Sequence, residues 1–307
     1  MTLPGLIEFG SWVLRISLCI WVFLSSPFFR RAQIRKLLCA IGGRMCPRKA
    51  ICYCSDSKSL EQAPLWVHTT ESQMMAKSNS SDLLIGFDLG TSAMKAVLSD
   101  REGRIVGQAS RQVALLRPAD ALVELDAEAY LQNVYSVIGE LVSKADAPRQ
   151  IVAISFSGAS GNTVLLDEDF TPLGPVISWL DGRTAGAERE LWPELDPECH
   201  YRIAGWPFGG TFPLAHLAWY KRNRPDLWEK TRYFTMLNDY IYHRLCGRLV
   251  VDHSKATTFY LQDQETRTWS SALLDVLDVE ESGLSELLPS GTACGTVTAE
   301  AAGATGL

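Results

Sequence analysis

Several features that would settle a function quickly are missing from this sequence. No GxxxxGK[ST] pattern occurs, which excludes a Walker-type phosphate loop. The eight cysteines include no CxxC pair and match no zinc-ligand template, so a structural zinc site is not expected. The five cysteines before residue 55 are irregularly spaced, and Cys199, Cys246 and Cys294 are dispersed, as in a reduced cytoplasmic protein. No internal repeat or low-complexity stretch is present. Excess positive charge is also lacking: the formal net charge of −6 gives no reason to expect a nucleic-acid partner. Finally, no apolar run reaches the ~20 residues that a membrane-spanning helix needs. The strongest, residues 11 to 29, is interrupted by Arg15 and continues for only about 14 residues.

What is present divides the chain in two. Residues 1 to 80 carry ten Lys/Arg against four Asp/Glu, a net of +6, while residues 81 to 307 carry nineteen against thirty-one, a net of −12. The first segment reads as a non-domain leader. One explanation is a start assigned upstream of Met74 and Met75, or a disordered leader. Others are a weak membrane anchor over residues 11 to 29 and a targeting segment. In the anchor reading, the basic cluster Arg30, Arg31, Arg35 and Lys36 would leave the rest of the chain cytoplasmic. Membrane association is not expected, and the domain is placed at 81 to 307.

Within that domain, residues 83 to 88, 93 to 99 and 104 to 116 read as strands, with a turn at residues 100 to 103 that Gly103 allows. Asp126 suits a helix N-cap, and Tyr130, Val134, Val137, Leu141 and Ala145 recur at helical spacing. Residues 150 to 157 are almost continuously apolar, which predicts a strand buried on both faces. A hairpin is expected over 163 to 179, helices over 183 to 192 and 213 to 222, and a strand leading into a helix over 233 to 247 that ends at Gly247. Strands that first meander and then alternate with helices predict an α/β domain with a mixed sheet.

The stretch LLIGFDLGTSAMKAVLSD (83 to 100) carries the clearest chemistry. Gly90 permits a tight turn whose backbone N–H groups converge on an anion, and Thr91 and Ser92 add hydroxyl donors. Asp88 would repel phosphate, so its useful role is to hold Mg²⁺ directly or through water. Lys95 can neutralise charge on a phosphate in transfer. An ordinary polar hairpin turn would account for the same residues.

This stretch resembles the first phosphate motif of the actin-like ATPase superfamily, which includes sugar kinases, chaperone ATPases and actin. Later segments narrow the resemblance. PLGPVISWLDGRTAG (172 to 186) is similar to the W-x-D-x-R segment of FGGY carbohydrate kinases such as xylulokinase and glycerol kinase. LVELDAEAYLQNV (122 to 134), residues 236 to 270 and residues 284 to 307 resemble further segments of the same family, in order, so that the resemblance covers residues 83 to 307. A chaperone or cell-shape ATPase sharing only the hairpin would not carry them.

The resemblance implies an actin-like (ribonuclease H-like) lobe that binds a sugar, polyol or sugar acid, and transfer of the γ-phosphate of MgATP to one of its hydroxyls. It assigns Gly90, Thr91, Ser92 and Lys95 to phosphate and Asp88 to the metal. It gives Ser160, Gly161, Trp179, Asp181 and Arg183 to the substrate side. Trp179 would lie against the carbon face of the sugar, which suits an aromatic ring. Asp181 and Arg183 could instead pair and hold their loop, and Asp252 is expected to fix a turn rather than do chemistry. The sequence departs from xylulokinases where a Gln-Met-His run would touch the sugar: Ala159, Ser160 and Gly161 stand there, which weakens xylulose as the substrate. His216 replaces a lysine usual before L-x-W and is expected to be packing or solvated rather than functional. By the same resemblance the general-base aspartate and the nucleotide lobe lie beyond Leu307. The expectation is therefore a fragment inactive by itself, with a partly apolar surface near its C-terminal end. A non-catalytic sugar-binding or regulatory module is the alternative.

Overall fold

The computed structural model describes residues 82 to 186, 196 to 207 and 209 to 307. The leader assigned to residues 1 to 80, and most of the helix expected over 183 to 192, lie outside the described residues; 183 to 186 form a turn.

The chain begins with β1 (Leu83–Leu89), β2 (Ala93–Asp100) and β3 (Ile105–Gln112), an antiparallel meander. Gly103 does adopt positive φ (80°) in the second turn. β3 is shorter than the predicted strand because its partner runs out: Ala93, the first residue of β2, pairs with Gln112. After β4 (Glu124–Leu125), α1 (Ala127–Val142) starts at Asp126, whose carboxylate accepts the Ala129 N–H at 2.9 Å. The helix ends three residues before the expected point, and Lys144 and Ala145 continue it with i→i−3 bonds.

β5 (Ile151–Gly158) then runs parallel to β1, giving a mixed sheet in the order β3-β2-β1-β5. Here the structure corrects the sequence reading. β5 is not buried on both faces: it is the edge strand, and Val152 is 50% exposed. An apolar run signals a strand, but its place in the sheet decides what covers it.

The remaining elements build a second, antiparallel sheet and its covering helices. They are β6 (Thr163–Leu166), β7 (Val176–Ile177), α2 (Pro197–Ala204), α3 (Pro213–Asn223), α4 (Pro225–Trp228), β8 (Tyr233–Met236) and α5 (Leu237–Cys246). This sheet has the order β4-β7-β6-β8. Gly247 closes α5 with φ of 76°. β9 (Val250–Asp252), α6 (His253–Ala256), α7 (Ser271–Leu277), β10 (Glu286–Leu288) and α8 (Ala299–Thr305) complete the described chain, with β9 and β10 paired in parallel.

Alternation along β1 and β2 sends Ile85, Phe87, Leu89, Met94, Ala96 and Leu98 to the core face. They pack with Leu131, Val134, Ile138 and Leu141 of α1 and with residues of α5 and α8. Asp88 and Lys95 therefore fall on the other face. A second core gathers residues of the second sheet with α3, α7 and the segment around Phe259 and Trp269. Beside β5, Val152, Ile154, Leu245, Val297 and Leu307 line a groove of about 340 Å³, an apolar surface near the C-terminal end. Among the described residues no helix is long and apolar enough to cross a membrane.

Candidate active site

The site forms where the parallel strands β1 and β5 end, at Leu89 and Gly158. Asp88 faces Lys95 across the β1–β2 ladder and Ser157 across the β1–β5 ladder, so the three share one face of the sheet. Burial raises the Asp88 carboxyl above its ordinary range, and Lys95 pulls it partly back.

Gly90 is required for space rather than for a left-handed backbone. A Cβ there would overlap the carbonyl oxygen of Ala93, so a side chain would force the turn open. Tyr130 of α1 fixes the same turn by donating its hydroxyl to the Gly90 carbonyl at 3.1 Å. Val113 N–H donates to the Ser92 carbonyl at 2.9 Å and ties the turn to the end of β3. The Ser92 side chain is left exposed.

Trp179, which follows β7, reaches this turn. Its indole N–H donates to the Thr91 hydroxyl at 2.9 Å, and the residue remains 39% exposed. The Thr91 hydroxyl proton is still available to donate to an anion. The Trp179 backbone N–H donates to the side-chain oxygen of Asn162 at 3.1 Å. Gly161 has φ of 86°, and a Cβ there would stand 3.2 Å from both the Phe212 ring and the Trp179 Cβ. The loop therefore presses its backbone between two aromatic residues, with half-buried Ser160 preceding it. The loop is anchored where it begins, because Ala159 donates its N–H to the Leu89 carbonyl and accepts the Asn238 amide at its own carbonyl at 2.9 Å.

Asp181 and Arg183 take the loop-holding role that the sequence left open. Asp181 is fully buried and accepts from Val123 N–H (2.6 Å), Arg183 N–H (2.8 Å) and the Arg183 guanidinium (2.8 and 2.9 Å). Arg183 also bonds Glu124 at 2.6 Å and lies over the Trp219 ring at 4.8 Å. Burial favours a neutral Asp181, but the hydrogen bonds from Arg183 and Val123 outweigh it and hold the carboxyl below its ordinary range. Asp252 is committed too. It caps α6 at Ser254 N–H, and accepts the hydroxyls of Ser254 and Ser290 and the Lys255 ammonium. His216 is buried core: its Nδ1 meets the Thr163 hydroxyl at 2.9 Å, and burial pushes it down to about 3, so it stays neutral.

Asp88, Gly90, Thr91, Ser92, Lys95, Gly161 and Trp179 thus come together, with Ser160 on the same loop. Sequence reasoning missed the residues that hold them, namely Asn162, Phe212, Asn238 and the hydroxyl of Tyr130. Asn162 alone gave a signal, as a polar side chain at the mouth of an otherwise apolar strand. Among the described residues no cluster of three or more His, Cys, Asp or Glu side chains could hold a metal unaided. A Mg²⁺ ion at Asp88 would need phosphate and water oxygens to complete its coordination, which is how Mg²⁺ is commonly held.

The fold is thus a mixed α/β domain with a tight glycine turn beside a partly exposed indole. Residues 83–307 match the N-terminal domain of the FGGY family of carbohydrate kinases, and the chain belongs to that family. It is 28% identical over 206 residues to a gluconokinase of Bacillus subtilis, covering 67% of this chain and 40% of that protein. It is 30% identical over 220 residues to a xylulose kinase of Lactococcus lactis, covering 71% of this chain and 44% of that protein. A ligand-bound xylulose kinase structure from Lactobacillus acidophilus superposes with a TM-score of 0.70 at 26% identity, over 74% of this chain and 46% of the other. The domain is accordingly actin-like, and the chain spans less than half the length of these relatives.

Proposed function

We propose that residues 81 to 307 are the sugar-binding half of a kinase that transfers the γ-phosphate of MgATP to a hydroxyl of a sugar, polyol or sugar acid. The hydrogen bond between the Trp179 indole and the Thr91 hydroxyl carries this reading. It sets a wall suited to the C–H face of a polyol one contact away from a turn suited to phosphate. Phosphoryl transfer requires mainly alignment and neutralisation of charge, and a joint between the two subsites supplies the first.

In this reading the backbone N–H groups around Gly90 and the hydroxyls of Thr91 and Ser92 hold phosphate oxygens. Lys95 offsets their charge, and Asp88 would hold Mg²⁺, which would supply further neutralisation of phosphate charge. Trp179 orients the carbohydrate, Asn162 and Gly161 hold Trp179, and Asp181 with Arg183 keeps its loop closed. Asp181 and Asp252 are both saturated by protein donors, so neither is assigned as the general base. We place the base and the adenosine site in the part of the relatives' length that this chain does not span.

The test is ATP-dependent phosphorylation across pentoses, hexoses, polyols and sugar acids. The 307-residue chain is compared with a version joined to the C-terminal half of a related kinase. Turnover only in the joined version is the expected result and identifies the substrate. Turnover in the 307-residue chain would remove the assignment of the base, and no turnover or binding in either would remove the proposal.

A further inference from the structure

Two of the cysteines that looked dispersed in the sequence are neighbours in the fold. Cys246 is the last residue of α5 and Cys294 lies 48 positions on, yet their Sγ atoms are 3.8 Å apart. The approach is built by the backbone. Thr298 N–H donates to the Leu245 carbonyl at 2.9 Å, and the Arg248 guanidinium donates to the Cys294 carbonyl at 2.9 Å. Arg248 is itself anchored to Glu286 at 2.6 Å. Between these ties Gly295 comes so close that a Cβ there would stand 3.1 Å from the Cys246 Cβ. Both cysteines are half-buried free thiols, and both line the groove beside β5. Its volume of about 340 Å³ admits a small oxidant.

We infer that Cys246 and Cys294 form a redox-reactive dithiol, a modification site that hydrogen peroxide converts to a disulfide. The inference is separate from phosphoryl transfer. The Cys246 thiolate attacks a peroxide oxygen, the O–O bond breaks, and the sulfur becomes a sulfenic acid while hydroxide leaves. Cys294 then attacks that sulfur, the S–S bond forms, the S–O bond breaks and water departs. Two electrons pass from the sulfur pair to the peroxide. The order follows the surroundings: the hydrogen bond with Cys294 lowers the Cys246 pKa, and the charge of Arg248 adds to it. Closing the sulfurs from 3.8 Å to about 2.0 Å needs side-chain rotation within a site already brought together.

The test is peptide mapping of the reduced 307-residue chain after graded hydrogen peroxide, under non-reducing conditions. The expected product is a cross-linked peptide pair containing Cys246 and Cys294, reversed by dithiothreitol. It should form at least about tenfold faster than oxidation of exposed Cys199. In Cys294→Ser the cross-link disappears and a dimedone adduct appears at Cys246. The inference is overturned if both thiols still react with N-ethylmaleimide at doses that oxidise Cys199. It is equally overturned if Cys246 cross-links mainly to another cysteine.

Discussion

At the scale of single residues, the site depends on what has no room to change. Gly90→Ala places a methyl group against the Ala93 carbonyl, and the turn must open to accept it. Overpacking of this kind costs about 1–3 kcal/mol. The expected outcome is a lower thermal midpoint together with loss of nucleotide binding in the joined protein, read by calorimetry and titration. Trp179→Ala acts differently, because the ring is partly exposed and its loss removes a binding face. Aromatic contacts are worth about 0.5–1.5 kcal/mol, so carbohydrate affinity should fall roughly two- to twelvefold with little change in thermal midpoint. An unchanged affinity would take Trp179 out of the site.

Between elements, two buried carboxylates respond to pH in opposite senses. Asp181 ties Val123, just before β4, to Arg183 and the Trp179 loop, and its pKa is held below the ordinary value. Its contribution is present above the unfolded pKa and is lost as pH falls through the folded one. Asp181→Asn leaves the Arg183 charge half-paired, and a broken buried pair typically costs about 3–5 kcal/mol. Urea unfolding at neutral pH measures that loss. Asp239 of α5 is fully buried, accepts the Ser285 hydroxyl at 2.8 Å and the Thr235 hydroxyl at 3.1 Å, and is pushed up to about 7 by burial. Here the folded state holds the proton more tightly, so the Asp239 contribution is fully present below the ordinary carboxylate range and is lost as pH rises through about 7. Asp239→Asn should flatten that decline and raise stability at pH 8. An unfolding series from pH 5 to 8 that shows parallel slopes for the two proteins would refute this.

At the scale of the whole molecule, the sheet order leaves β5 as an edge with exposed Val152, beside a groove that Val297 and Leu307 extend. An unpaired apolar edge invites association. The 307-residue chain is expected to bind a hydrophobic dye and to self-associate on concentration. Val152→Asp combined with Val297→Asp should reduce both, as read by fluorescence and light scattering. A clean monomer without dye binding would contradict it.

The sequence by itself determined the elements and the chemistry carried on one turn. Strand alternation, the Asp126 cap, the Gly247 stop and the Asp88 to Lys95 hairpin are local. They depend on near neighbours whose spacing is visible in the chain. The ordered family segments placed the domain for the same reason. Only the tertiary structure decided what lies beside what. It set β5 at an edge, joined Trp179 to Thr91 across 88 positions, and gave Asp181 and Arg183 to the loop. It also brought Cys246 against Cys294. Contacts between distant segments follow from packing and sheet order, and periodicity within a short window carries no record of either.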